Sequence, residues 1–356
     1  MTINDDFVFK GIPTRVLFGA GTLARARDEV EKLGGKAALV LSTEHQSAEA
    51  ERMVDDLGAL AAGRFCEAAM HTPTDVTEKA LGVATSVGAD CVVSIGGGST
   101  IGLGKAIAIR TGMPHLAIPT TYAGSEMTDI LGETKDGRKT TRRDPAIRPN
   151  TVIYDVSLTL SLPKALTVTS ALNAAAHAVE ALYAPDGNPI VSQMAASALE
   201  ALNRGLPLIM KDGADLEGRR QTFYGAWLSA IVLGQAAMGL HHKLCHVLGG
   251  SFNLPHSETH AILLPHTAGF NAGAARAALA PATDLFGDDL GGGLWDFAQS
   301  VGAPLRLADY GFTEADIPRA AEIAGTDRYD NPRDFDAGDM TRILTAALNG
   351  DRPETF

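Results

Sequence analysis

Between residues 37 and 119 short apolar runs alternate with stretches of helical periodicity, and that alternation leaves few folds open. Ala37–Leu41 precedes a helix near 45–57 and a strand near 63–66. A helix near 74–88, the run Cys91-Val-Val-Ser-Ile95, a helix from about 99 and the run His115–Pro119 follow. Strand and helix in strict alternation predict a parallel sheet covered by helices on both faces. Beyond Pro163 the pattern changes. Residues 164–184, 190–211 and 216–238 are rich in Ala and Leu at helical spacing, which predicts an almost wholly helical second part. A chain of 356 residues divides naturally into two domains, so the expectation is an α/β domain over 1–160 and an all-α domain over 161–356. The boundary is placed in Ile153–Leu162, and the Gly291–Gly293 triplet is read as a loop.

Composition narrows the function. Net charge −12 argues against a nucleic-acid partner, which needs a basic face. Cys66, Cys91 and Cys245 are odd in number and lack C-x-x-C spacing, so neither a disulfide framework nor a cysteine zinc site is expected, and a reduced cytoplasmic compartment fits. The N-terminus has no basic segment followed by an apolar one, and no uncharged run reaches about 18 apolar residues, so neither secretion nor a membrane partner is expected.

After Ile95 come Gly96, Gly97, Gly98 and Ser99, then helical periodicity from Ile101. A strand feeding a glycine turn at a helix N-terminus can receive a pyrophosphate, because glycines let backbone N–H groups approach and the helix dipole favours an anion. A tight turn needing positive φ would leave the same sequence. The neighbouring run Ile118–Glu126 offers Thr120, Thr121 and Ser125 as further donors at the sheet edge where ligands bind. Neither the G-x-G-x-x-G nor the P-loop fingerprint is present. At the end of the Ala38–Leu41 strand, where an acid often holds the adenosine ribose, stand Ser42 and Thr43. With no carboxylate there to repel a 2′-phosphate, both NADH and NADPH are expected as cofactors.

Six of ten histidines fall in 241–266: His241, His242, His246, His256, His260 and His266. Helical i,i+4 spacing puts His242 with His246, and Asn173 with His177, on shared faces. Such a set can hold a metal or a polar substrate. His241, His260 and His266 taken singly read as ordinary polar residues.

These pieces, with Phe18-Gly-Ala-Gly21, Pro119-Thr-Thr121, Gly124-Ser-Glu126 and His242-x-x-x-His246 followed by Pro255-His256, resemble the iron-containing alcohol dehydrogenase superfamily. The resemblance implies a dinucleotide-binding α/β domain followed by a helical one. It implies that the metal-ligand positions of the superfamily fall on Asn173, His177, His242 and His256, with an amide where an aspartate is usual. The usual G-G-G-S-x-x-D-x-x-K run also departs, with Gly102 at the aspartate position and Lys105 retained. Both departures are similar to the maleylacetate reductase branch, along with Ala175-Ala-His-Ala-Val-Glu180 and His241-His-Lys-Leu-Cys-His246. That likeness implies reduction of the C=C bond of 2-maleylacetate to 3-oxoadipate in the breakdown of aromatic compounds, without a metal, by a homodimer.

Hydride addition to an alkene conjugated with a ketone puts charge on the ketone oxygen, so donors are needed there and a proton at carbon, and histidines can supply both. The expected catalytic set is His246 as proton donor, His177, His242 and His256 around the pocket, and Lys243 on a carboxylate of a small dicarboxylate substrate. Asn173, His241 and Tyr122 are assigned to substrate. Gly96, Gly97, Gly98, Ser99, Thr120, Thr121, Ser125, Ser42 and Thr43 are assigned to cofactor, joined by Lys139 through the resemblance. Arg142 and Arg143 are read as a solvated charged loop. A metal-dependent alcohol dehydrogenase and a non-catalytic nucleotide-binding protein are the alternatives.

Overall fold

The computed structural model describes residues 7–326 and 329–353. Two compact units emerge: Gly11–Leu162, and a helical unit from Pro163 onward that also takes in the described residues before Gly11. Val8 belongs to the helical unit because its carbonyl accepts from Asn188 Nδ2 at 3.5 Å.

The first unit is built on a six-stranded parallel sheet of β1 (Arg15–Gly19), β2 (Ala38–Leu41), β3 (Ala61–Phe65), β4 (Cys91–Gly96), β5 (His115–Pro119) and one later strand, Thr151–Asp155. Between β5 and that last strand an antiparallel hairpin is inserted, β6 (Ile130–Lys135) with β7 (Arg138–Arg143), so the last strand is β8. The sheet order is β1-β8-β5-β4-β2-β3. Four central strands are fully buried because helices cover both faces, α1 (Ala26–Lys32), α2 (Ser47–Leu57), α3 (Thr74–Ser86) and α4 (Gly98–Thr111). Alternation along the strands divides the core: Val40, Val93 and Ile95 pack with Val30, Met53 and Leu57, while Leu39, Leu41 and Val92 pack with Ala80, Ala84, Leu103 and Ile107.

The run Arg138–Arg143, read in part as a charged loop, is instead the strand β7. All six of its residues are exposed, so no apolar alternation marks it.

The helical unit comprises α5 (Lys164–Leu182), α6 (Pro189–Lys211), α7 (Leu216–Gln235), α8 (Leu240–Phe252), α9 (His256–Ala272), α10 (Ala280–Phe286), α11 (Leu290–Ser300), α12 (Ile317–Thr326) and α13 (Ala337–Asn349). Helix α5 is buried without interruption from Thr167 to Leu182. Gly291–Gly293, expected as a loop, lies inside α11. The reason is packing: a Cβ on Gly291 would come within 2.9 Å of Gly269 Cα and 3.0 Å of the Pro265 carbonyl, so glycine lets α11 cross α9 backbone to backbone. Among the described residues no single helix is long and apolar enough to cross a membrane.

Candidate active site

The glycine turn joins β4 to α4, with Gly97 as the residue before the helix. Strand β4 lies between β2 and β5, so the turn is flanked by the ends of both, at Ser42–Thr43 and Thr120–Thr121. Gly96 has φ +154°, and a Cβ there would stand 2.5 Å from Thr100 Oγ1 and 2.8 Å from Gln46 Oε1. Gly98 differs: the nearest atom to its Cβ position is Ala123 Cβ at 3.7 Å. Thr100 Oγ1 is buried beside the turn and has no hydrogen-bond partner among the described residues. Open space at a helix N-terminus with an unsatisfied hydroxyl beside it fits a phosphate-bearing cofactor.

Other assigned residues are placed less directly. Ser42 is fully buried: its hydroxyl donates to the Thr43 carbonyl at 2.9 Å, its backbone N–H to the Phe65 carbonyl at 3.1 Å, and its own carbonyl accepts from the Ala68 N–H at 3.1 Å, so both of its donors are already engaged within the protein. Gln46, which the sequence reading passed over, donates to Thr120 Oγ1 at 3.0 Å and so ties the β2 end to the β5 end. Thr121 and Ser99 are half-buried, and Lys139 is exposed on β7. Tyr122 is buried in this first unit, whereas Asn173 and His241, also assigned to substrate, belong to the helical one. Ser125 is held by Lys105, whose buried Nζ donates to the Ser125 carbonyl, to Thr128 Oγ1 at 3.0 Å and to the Ile130 carbonyl at 3.0 Å. Burial pushes the Lys105 ammonium down to about 7 despite Glu126 and Asp129 nearby. Gly102 stands where the superfamily carries aspartate because Thr72 fills that space: its Oγ1 is 2.5 Å from the Cβ position.

The helical unit gathers the histidines. Helix α5 presents Asn173, His177 and Glu180, α8 presents His241, His242 and His246, and α9 begins at His256 and carries His260. The His177 and His242 rings stack at 5.1 Å, His242 and His260 meet edge to face at 4.9 Å, and His256 and His260 at 4.4 Å. His246 lies 6.1 Å from His242, ring to ring. His246 and His256 are exposed, the other four cluster members buried. His241 and His260, set aside in the sequence reading as ordinary polar residues, are therefore inside the cluster, with His241 Nε2 2.9 Å from His260 Nδ1. His266 lies on α9 away from this set, lining a separate cavity of about 520 Å³ with Arg342 and Arg352. Lys243 is buried with Nζ 5.3 Å from the centre of the Tyr329 ring.

Glu180 is the one buried carboxylate of the cluster. It accepts from His242 Nδ1, from the His241 backbone N–H at 2.8 Å and from the Tyr183 hydroxyl at 3.3 Å. Burial works to raise its pKa, but the charge of His242 and these hydrogen bonds outweigh it and hold the carboxyl below its ordinary value. The remaining imidazoles go the other way: burial pushes His241 down to about 3 and holds His177 and His260 well below the usual range. One sequence signal points to Glu180: a glutamate in an alanine-rich helix, within the run Ala174–Leu182, needs a buried partner.

The donors at the superfamily positions include no anion. Asn173, His177, His242 and His256 would all bind as neutral ligands, and the buried carboxylate that the described residues bring to them, Glu180, is engaged with His242 Nδ1. His241, Cys245 and His260 also bring three ligand atoms within 4.8 Å. There the two ring nitrogens bond to each other, Cys245 Sγ lies 3.6 Å from His241 Nε2, and burial raises the thiol well above its ordinary value.

Comparison with known proteins agrees with this arrangement. Residues 13–156 match the family described as iron-containing alcohol dehydrogenase, and residues 167–348 match the C-terminal part of the Fe-containing alcohol dehydrogenase family. The chain is 51% identical to the maleylacetate reductase of Rhizobium sp. (strain MTP-10005) and 48% identical to that of Burkholderia cepacia, over 98% of its length and 99% of each relative. The crystal structure of maleylacetate reductase from Agrobacterium tumefaciens superposes with TM-score 0.96 at 51% identity, over 98% of this chain and all of that one. A 1,3-propanediol oxidoreductase, 25% identical, shares the fold at TM-score 0.89 over 96% of this chain and 99% of its own. The chain belongs to the iron-containing alcohol dehydrogenase family and, within it, groups with the maleylacetate reductases.

Proposed function

We propose that this protein reduces the carbon–carbon double bond of maleylacetate, giving 3-oxoadipate, with NADH or NADPH as reductant and without a metal ion. The observation that supports this reading best is Asn173: within a chain 51% identical to a maleylacetate reductase, the superfamily's carboxylate position holds a buried amide whose Oδ1 has no partner among the described residues. Gly96–Ser99, Thr120, Thr121 and Lys139 would hold the cofactor, which when bound supplies the hydride. The hydride forms the new C–H bond at one alkene carbon and the π pair moves towards the ketone oxygen. His242 Nε2, buried and unpartnered among the described residues, would donate to that oxygen. His246, exposed and able to exchange protons with water, delivers the proton to the other alkene carbon. Lys243 holds one substrate carboxylate while His177 and His256 shape the pocket. An enolate is a weaker base than an alkoxide, so hydrogen-bond donors suffice where an alcohol dehydrogenase uses a cation. A homodimer in the cytoplasm completes the proposal.

Oxidation of NADH followed at 340 nm with maleylacetate, on protein treated with a chelator and assayed for residual metal, tests the reading. Full turnover without metal is expected. Loss of activity on chelation, restored by iron or zinc, would replace it with the metal-dependent alcohol dehydrogenase. In the same assay NADPH is expected to serve as well as NADH to within about a thousandfold in kcat/KM, roughly 4 kcal/mol, since neither Ser42 nor Thr43 repels a 2′-phosphate.

A further inference from the structure

Glu180 takes part in no step of the reaction just described, yet it is the most heavily bonded side chain among the histidines. A carboxylate buried to 1% exposure in an alanine-rich helix is costly unless every oxygen is satisfied. Here both are: Oε2 takes His242 Nδ1, and Oε1 takes the His241 N–H and the Tyr183 hydroxyl. The hydrogen bonds continue outward, with Asn271 Nδ2 donating to the Tyr183 hydroxyl at 3.3 Å and Asn271 and Asn331 exchanging hydrogen bonds at 2.7 and 2.9 Å. Gly239, at the start of α8, leaves room for this: a Cβ there would lie 3.2 Å from Glu180 Oε1. One carboxylate thus fixes both the first backbone turn of α8 and the ring that projects from it.

We infer that Glu180 is a positioning residue for the reduction, acting through His242. An acceptor-only group on Nδ1 requires the proton there, so it sets the ring's orientation and leaves Nε2 as the nitrogen that faces the substrate oxygen. The other buried rings lack such an anchor: His241 and His260 are bonded to each other, and no carboxylate is bonded to His177 among the described residues. This assignment rests on the proposed reaction for its catalytic meaning, but the ring geometry it asserts can be read without substrate.

Glu180→Gln keeps the shape and the acceptor for His241 N–H while offering Nδ1 an amide that can donate. In full-length protein labelled with 15N-histidine, the His242 signals, assigned with His242→Gln, are expected to show Nδ1 protonated in the parent and to change in Glu180→Gln. The kcat for maleylacetate is expected to fall roughly 30-fold, as for loss of an orienting partner, with NADH affinity unchanged. The double variant is expected to be no slower than His242→Gln alone, because a residue acting only through His242 adds nothing once that ring is gone. A change in kcat under threefold, an additive double variant, or a His242 ring unaltered by Glu180→Gln would overturn the inference. Should Glu180→Gln fail to fold, an Nδ1-unprotonated His242 in the parent would overturn it alone. A parent that binds NADH but does not reduce maleylacetate would defeat the proposed function and leave the ring measurement standing.

Discussion

Gly98→Ala is expected to leave the protein at least as stable as the parent while weakening NADH binding on the order of 100-fold, about 2.8 kcal/mol. The two halves of that expectation have different causes. Inside the protein the added methyl meets only Ala123 Cβ at 3.7 Å, an ordinary contact, and alanine at the start of α4 restricts the unfolded chain more than glycine does. A pyrophosphate seated on the turn would meet that methyl directly, since the value of glycine there is close approach of the backbone. Gly96→Ala is the contrasting case. Its Cβ would stand 2.5 Å from Thr100 Oγ1 at a backbone φ of +154°, so it lowers stability whether or not a cofactor binds. Equilibrium NADH titration by fluorescence together with thermal melts separates the two. If Gly98→Ala binds NADH as the parent does, the triplet is a tight turn and nothing more, and the cofactor assignment of Gly97, Gly98 and Ser99 falls with it.

That distinction shows how far the sequence reaches. Strands β2, β4 and β5 were legible because they are apolar, short and separated by helical periods, and the turn was legible because glycines follow a buried strand. The two strands that close the sheet on the other side were not. Arg15–Gly19 and Thr151–Asp155 pair with each other across more than a hundred residues, and the second reads from sequence as an interdomain boundary. The hairpin was hidden for the opposite reason, since β7 is exposed on every residue and carries no hydrophobic period. In the helical unit, i,i+4 spacing brought out Asn173 with His177 and His242 with His246. What spacing could not supply was the contact between helices: Glu180 and His242 are 62 positions apart, and His260 joins the cluster only because α9 packs beside α8.

Asn173→Asp is expected to convert the histidine cluster into a metal site. Asn173 is 2% exposed, so an aspartate there would be a buried carboxylate with no partner assigned, and such a group either takes up a proton or recruits a cation. With His177 on the next turn of α5 and the stacked His242 ring, the new oxygen completes a mixed N/O donor set, the kind that zinc and ferrous iron accept. Zinc affinity is expected to rise by a factor on the order of 100 or more, because a ligating carboxylate adds an attraction between opposite charges at bonding distance. Maleylacetate reduction should fall as zinc is added to the variant, since an occupied His242 Nε2 no longer meets the substrate oxygen, while the parent should be indifferent to the same zinc. Metal content after dialysis, measured by mass spectrometry beside the rate of NADH oxidation, checks both. A parent that already retains stoichiometric metal would mean that neutral donors are enough to hold an ion here, and the metal-free reading of this branch would not apply to this chain. A variant that binds no metal would mean instead that the histidines are held too firmly by Glu180 and by one another to turn towards an ion. In that case the cluster is fixed as a hydrogen-bonding surface, and the loss of one carboxylate is not what separates it from the metal-dependent members of its family.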